Sequence, residues 1–324
     1  MLRAADYVTV SLAALYSTKL RRVKAKAGPL YSIGVEQIET WCEGLARRGQ
    51  WLQSRGHSVW PDETVSGRYG FIHALYHEVV YHRIPAAQRL RWHRCIGARL
   101  AAGYGEQARD LAAELAMHFT QGREYQQAIA YGLQAANNAL RRSAYREAIT
   151  HLRTGLTLLH RLPDTTARWQ QELALQITLG SALMATRGMA APEVEQTYGR
   201  ARQLCLQAGK TSQHLQILFG LLQCYLVQGK VPRARELGEQ FFALAKSQDN
   251  PASLLAAHWL LGVTLFYLGE FTAARAHVEQ GMALYNVQHT PRIHSCAGKT
   301  PAVVSSAMRL RCCGCLAILT RPNS

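Results

Sequence analysis

Along residues 106–285, apolar side chains recur at i, i+3, i+4 and i+7 in runs separated by short breaks that carry Gly, Pro or polar residues. That is the period of helices with one buried face. Ala, Leu, Gln, Glu and Arg dominate the runs, and apart from Ala they lose little rotamer freedom in a helix. The breaks fall at Thr120-Gln121-Gly122, Arg142-Ser143, Leu162-Pro163-Asp164, Arg187-Gly188, Ala208-Gly209, Gln228-Gly229, Asp249-Asn250-Pro251 and Leu268-Gly269. They divide the segment into eight or nine helices of about 12–20 residues.

Aligned on their breaks, the helices repeat. Gly229-Lys-Val231-Pro-Arg-Ala234 matches Gly269-Glu-Phe271-Thr-Ala-Ala274, and the same bulky-x-x-Ala element stands at Tyr125 to Ala128 and at Tyr145 to Ala148. Upstream of the later two glycines, Leu221, Leu222 and Tyr225 correspond to Leu261, Gly262 and Leu265. This pattern resembles the tetratricopeptide repeat, in a version with longer helices than the usual repeat of about 34 residues. A single helix pair cannot cover its own apolar face, whereas stacked pairs share a continuous core. The resemblance implies an all-α fold: a right-handed superhelix whose inner surface, formed by the first helices of each pair, offers a concave groove to a protein or peptide.

Residues 35–105 follow a different pattern. Val35 to Arg48 is amphipathic. Trp51-Leu52-Gln53 and Arg68-Tyr69-Gly70-Phe71 read as two short strands around a polar loop from Ser54 to Gly67. A helix is predicted from Ile72 to Arg83, and Pro85 opens another to about Leu100, where its missing N–H costs little. Helix, hairpin, helix is the outline of a small winged-helix-like module. The wording CEGLARRGQWL, WPDETVSGRYGFIHALYHEVVYHRIP and LRWHRCIGARLAAGYGEQARDLAAELAMHF resembles bacterial signalling ATPases of the AAA/STAND type, often joined to adenylate/guanylate cyclase or LuxR/MalT-like domains. The resemblance runs over residues 35–286 and implies a spacer module at 35–105 followed by repeats at 106–286.

Such an ATPase cradles phosphates in G-x-x-x-x-G-K-[ST], where glycines let backbone N–H groups approach the oxygens. Gly209-Lys210-Thr211 and Gly298-Lys299-Thr300 both lack the first glycine, having Leu204 and Ile293 in its place, and neither follows a strand. The resemblance therefore implies the repeat portion of such a protein without its ATPase domain. His73 and His77 share a helix face, but His82 breaks the H-E-x-x-H spacing by one residue, about 100° of rotation. No Gly-x-Ser-x-Gly elbow or other nucleophile arrangement is present. The expectation is a non-enzymatic interaction or sensor region with no cofactor and no metal. Its repeat-packing residues are Tyr125, Ala128, Tyr145, Ala148, Leu221, Tyr225, Gly229, Ala234, Leu261, Gly262, Gly269, Phe271 and Ala274.

The formal net charge of +16 points towards a nucleic acid until its distribution is considered. Residues 1–34 carry six basic residues and one acid, and residues 287–324 carry five basic residues and none. The ends thus supply ten of the charges, and residues 35–286 only six. A nucleic-acid-binding regulator acting through Arg47, Arg48, Arg89, Arg91 and Arg94 of the winged-helix-like module is the alternative, less favoured than a protein partner. No stretch approaches the ~20 apolar residues of a membrane span. Cys42, Cys95, Cys205 and Cys224 lie singly on helical patterns, as small buried hydrophobes of a reducing, cytoplasmic protein do.

After Leu284-Tyr285 the repeat pattern stops, and Cys296, Cys312, Cys313 and Cys315 crowd a segment without acids. Adjacent cysteines with no second pair are poor metal ligands. Read one base out of frame with permitted codons, His294 to Ala302 can spell FLCGQDPG and Ala307 to Pro322 can spell YAAAVLWLSGYPDQT, strings similar to the family's continuation. A frameshift near Val287–Pro291 is the reading of this tail, while residues 1–34 match no family pattern. Sequencing the underlying DNA checks it: the shifted frame is expected to encode both strings, and a frame that encodes neither refutes it.

Overall fold

The computed structural model describes residues 35–207, 213–248 and 251–284. They form twelve α-helices and one β-hairpin. The Gly209-Lys210-Thr211 triplet, residues 1–34 and the whole cysteine-bearing tail lie outside the described residues. The chain divides into two units, one of residues 35–138 with 157–162 and the other of residues 139–156 with 163–284.

In the first unit, α1 (Val35–Arg48) leads into β1 (Leu52–Val59) and β2 (Val65–Phe71), then α2 (Ala74–Arg83) and α3 (Ala86–Tyr104). A 3-10 turn (Gly105–Arg109), α4 (Ala112–Gln121), most of α5 (Tyr125–Arg141) and the end of α6 (Tyr145–Leu159) follow. The strands are longer than their sequence suggests. Ser54 and His57 to Val59, expected in a loop, pair antiparallel with β2 from Val65 to Tyr69, interrupted by a bulge at Arg55-Gly56. The alternation that announces a strand is missing because β1 from Gln53 to Ser58 is almost wholly exposed, and the buried positions of the hairpin are Leu52 and those of β2. α2 also starts later than expected, because His73 acts as its N-cap, with Nδ1 accepting from the Leu75 amide at 3.2 Å.

Trp60, 3% exposed, joins the hairpin to the helices. Its indole N–H donates to Ser66 Oγ at 3.3 Å, and the Arg99 guanidinium of α3 lies 4.6 Å above its ring. Arg99 also donates to Thr64 Oγ1 at 2.8 Å and to Asp62, which holds the Asp62 carboxyl down at about 2. Beneath the indole lie Ile96, Leu100, Ala108, Leu115, Phe119 and Ala128. Fully burying a side chain such as Leu115 contributes about 1.5–3 kcal/mol.

The second unit holds the body of α6, then α7 (Thr166–Arg187), α8 (Pro192–Gln207), α9 (His214–Val227), α10 (Val231–Ser247), α11 (Pro251–Tyr267) and α12 (Phe271–Leu284). From α7 onward each helix packs on the next, and α7 also touches α9. Helices stacked pair on pair in this way make an α-solenoid, the fold class expected from the repeats. The pairs are keyed by side chains entering notches made by small residues. Tyr198 of α8, 2% exposed, lies against Gly180 of α7 and Gly220 of α9, and a Cβ on either glycine would fall within 3.0 Å of its ring. Leu261 occupies the corresponding space at Gly238, and Val278 that at Gly262.

One turn is built four times among the described residues. Arg123, Ser143, Gly229 and Gly269 have φ of 58°, 58°, 75° and 80°. The amide of the next residue then donates to a carbonyl five residues back: Glu124 to Phe119, Ala144 to Ala139, Lys230 to Tyr225 and Glu270 to Leu265, at 2.8–3.0 Å. This is the helix-ending motif that favours glycine in the left-handed position. Two of the four sites carry side chains there. Replacing Ser143 by glycine relieves that strain at some cost in chain entropy, and a net gain of about 0.5–1 kcal/mol is expected in thermal unfolding. Gly180→Ala is expected to cost about 1–3 kcal/mol in the same assay, because the Tyr198 ring has no room to withdraw.

Candidate functional site

In the second unit the two kinds of helix differ in chemistry. α9 (HLQILFGLLQCYLV) and α11 (PASLLAAHWLLGVTLFY) contain no Asp, Glu, Lys or Arg. A helix apolar on all sides is ordinarily enclosed on all sides. Here Phe219 and Leu226 of α9, and Trp259, Val263 and Phe266 of α11, are only half-buried. They lie at i, i+4 and i+7 spacing, so each set forms one stripe along its helix. The stripes repeat at a spacing of forty residues: Phe219, Gln223 and Leu226 recur as Trp259, Val263 and Phe266. The Trp259 indole N–H is shielded from solvent and meets no acceptor among the described residues.

The second helices carry the charge and are tied across successive pairs. Lys230, at the N-cap of α10, donates to Glu195 of α8 at 2.9 Å and lowers that carboxyl below its usual range. Arg235 of α10 reaches Glu270, which precedes α12, at 2.7 Å, and Arg202 of α8 donates to Gln240 Oε1 at 3.1 Å. Exposed pairs of this kind contribute little each, about 0–1 kcal/mol, and fix register more than stability. The stronger pair joins α7 to α8. The Arg200 guanidinium donates through Nε and Nη2 to both oxygens of the buried Glu172, at 2.7 and 3.1 Å.

The structure places the repeat-packing residues as follows. Ala128, Ala148, Ala234 and Ala274 are at most 2% exposed, three residues into helices opened by Tyr125, Tyr145, Val231 and Phe271. Leu221 and Leu261 are enclosed, and Gly262 meets Val278. Gly229 and Gly269 hold left-handed turn positions, and the Lys230 ammonium lies 5.5 Å from the Tyr225 ring centroid. Phe271 is 53% exposed, with its ring 5.6 Å from that of Phe266. The half-exposed stripe was not among the residues singled out from the sequence, although two uncharged helices forty residues apart are its visible signal.

In the first unit His73 caps α2, His77 stacks on Tyr81 at 5.8 Å, and His82 meets the edge of the same ring, so the three histidines do not converge. Among the described residues, no three His, Cys, Asp or Glu side chains are grouped so as to hold a metal ion. Of the module's arginines, Arg94 is engaged by Glu124 at 2.8 Å and by the Gly122 carbonyl at 2.7 Å, Arg89 lies over Tyr81, and Arg47 is paired with Glu43. α2 has no buried residue and exposes Leu75, Val79 and Val80. No described helix is long and apolar enough to cross a membrane. Cys224 is buried, which pushes its thiol up to about 11.

No protein-family model and no curated protein matches the chain. Solved structures do. The chain is similar to a putative kinesin light chain from Podosopora anserina with nearly identical TPR-like repeats, at 20% identity and a TM-score of 0.45, over 65% of this chain and 99% of that one. It is likewise similar to BtubC (BKLC) from P. vanneervenii, at 16% identity and a TM-score of 0.48, over 64% of this chain and 84% of that one.

Glu172→Gln keeps the side-chain volume and removes the charge that Arg200 meets. It is expected to lower stability by about 1–2 kcal/mol in denaturant unfolding, and to leave the helix content of the folded state unchanged by circular dichroism.

Proposed function

We propose that this chain is a non-enzymatic interaction region that binds a protein or peptide through the first helices of its repeats. The observation that carries the reading is the uncharged, half-exposed stripe Phe219–Leu226, repeated as Trp259–Phe266, beside second helices that hold their charges in mutual ion pairs. A segment presenting aromatic or branched aliphatic side chains would bury them on those rings at about 25 cal/mol per Å² of apolar surface removed from water. In the fuller form of the proposal, residues 106–286 are the sensor repeats of an AAA/STAND-type signalling ATPase and residues 35–105 its winged-helix-like spacer. The wording of residues 35–286 supports that context, in which partner binding would be relayed to an ATPase domain.

The module's exposed surface supports a protein neighbour over a nucleic acid. Three of the five arginines proposed to contact phosphates are already engaged by Glu124, Tyr81 and Glu43, while Trp41, Trp51, Leu75 and Val79 are exposed.

Selection of displayed peptides against the full chain tests the proposal. Enriched peptides are expected to carry aromatic and aliphatic anchors, to change Trp fluorescence, and to bind almost independently of salt. Phe219→Glu is expected to weaken them by at least about tenfold, the equivalent of 1.4 kcal/mol, whereas Arg202→Glu on the charged layer leaves them unchanged. Enrichment of acidic peptides, or binding lost in Arg202→Glu but kept in Phe219→Glu, would contradict it.

A further inference from the structure

Two rings deep in the first unit make a contact that helix packing alone does not require. His93 of α3 and His118 of α4 are 5% and 2% exposed, and their Nδ1 atoms lie 2.9 Å apart. The His93 Nε2 lies 3.0 Å from the Tyr81 hydroxyl of α2. The His118 Nε2 faces Glu114, one turn earlier on α4, at 3.8 Å.

The chemistry of the four groups selects one arrangement of protons. An Nδ1 to Nδ1 hydrogen bond requires one ring to donate and the other to accept. If the Tyr81 O–H donates to His93 Nε2, then His93 must carry its proton on Nδ1 and donate it to His118 Nδ1. That leaves the His118 proton on Nε2, directed towards the Glu114 carboxylate. Every donor then has an acceptor ahead of it, with both imidazoles neutral. The opposite order would point an unprotonated nitrogen at Glu114.

We propose that this Tyr81–His93–His118–Glu114 chain is a proton-operated latch that clamps α2 and α4 to α3 while both rings are neutral. α2 depends on such contacts because none of its residues is buried. It is attached by rings: Tyr76 on Trp51 at 4.9 Å, His77 against Phe71 at 5.7 Å, and Tyr81 against His93 at 5.9 Å. A proton arriving at His93 places a charge in a site enclosed by α4, with Arg89 of α3 close by over the Tyr81 ring at 4.9 Å. His77 and His82 of α2 flank the same ring, and the helix's one acid, Glu78, is exposed to solvent. Glu114 is the acid facing the chain, and it lies at the far end, beside His118. That proton takes His93 Nε2, so the Tyr81 O–H loses its acceptor, and a further one on His118 Nδ1 would set two N–H groups against each other.

Burial, the neighbouring His118 and Arg89 hold His93 down at about 4 against an ordinary 6.5. Its closed-state pKa is depressed, so the open state takes up the proton more readily. The clamp is therefore fully formed above pH 6.5 and weakens as the pH falls from 6.5 towards 4. Over that interval the ratio of closed to open falls by up to about a hundredfold.

Hydrogen exchange of the full chain, corrected for the intrinsic pH dependence of amide exchange, tests the latch. Protection of α2 and α4 is expected to drop by up to about a hundredfold across that pH interval in the native chain, and to stay level in His93→Phe, which keeps a ring beside Tyr81. An equal drop in both proteins, or none in the native chain, overturns the proposal. Should His93→Phe fail to fold, nitrogen-15 histidine spectra of the native chain decide: a His93 that titrates at an ordinary 6.5 overturns it, and one that stays neutral until close to pH 4 supports it.

Discussion

The repeat unit depends on one phenol ring. Tyr198 lies where α7, α8 and α9 meet, against Gly180 on one side and Gly220 on the other, with its hydroxyl 3.2 Å from Ser181 Oγ. Interiors pack as densely as organic crystals, so a ring that fills the space of two missing Cβ atoms fixes how closely three helices approach. It does so without charge, and burial raises its own pKa. Further along, Leu261 at Gly238 and Val278 at Gly262 repeat the device with aliphatic side chains. Because each notch lies between consecutive helices, the array is held by local contacts that add up along the chain.

Close approach of the helices has a consequence for chemistry. Apolar residues are needed on several sides of α9 and α11, which leaves those helices without charge, and the solubilising groups collect on α8, α10 and α12. There Lys230 with Glu195, and Arg235 with Glu270, satisfy one another across successive pairs. Among what remains half-buried on α9 and α11 is the aromatic and aliphatic set Phe219, Leu226, Trp259, Val263 and Phe266. The same division does not extend to the first unit, where Trp60, Arg99 and Asp62 lock a polar hairpin to α3 and an imidazole pair joins α3 to α4.

Much of the helical order was legible in the sequence, because the 3.6-residue period and the bulky-x-x-Ala element are local signals. Tyr125, Tyr145, Val231 and Phe271 each open a helix, and each has its alanine buried three residues on. The less local features were not legible. Beyond Gln53, β1 is polar almost to its end and reads as a loop until β2 pairs with it. Arg123 and Ser143 occupy left-handed positions that the glycines at 229 and 269 mark plainly, so two of the four turns carried no sign of their geometry. In the sequence Gly122 looks like the helix-ending glycine, yet its φ is helical and the turn is made by the next residue. The pairing of His93 with His118 and the wedge of Tyr198 between two glycines span 18–25 residues and appear only once the helices are packed. The stripe of Phe219, Leu226, Trp259 and Phe266 lay between these extremes, since its repetition is visible but its exposure is not.

A double-mutant cycle on Tyr198 and Gly220 in the full chain measures the central constraint most directly. Gly220→Ala is predicted to cost about 1–3 kcal/mol in the native background and close to nothing alongside Tyr198→Leu, since the added methyl then meets no ring. An equal cost in both backgrounds would mean that Tyr198 does not set the spacing of these helices, and would contradict the account.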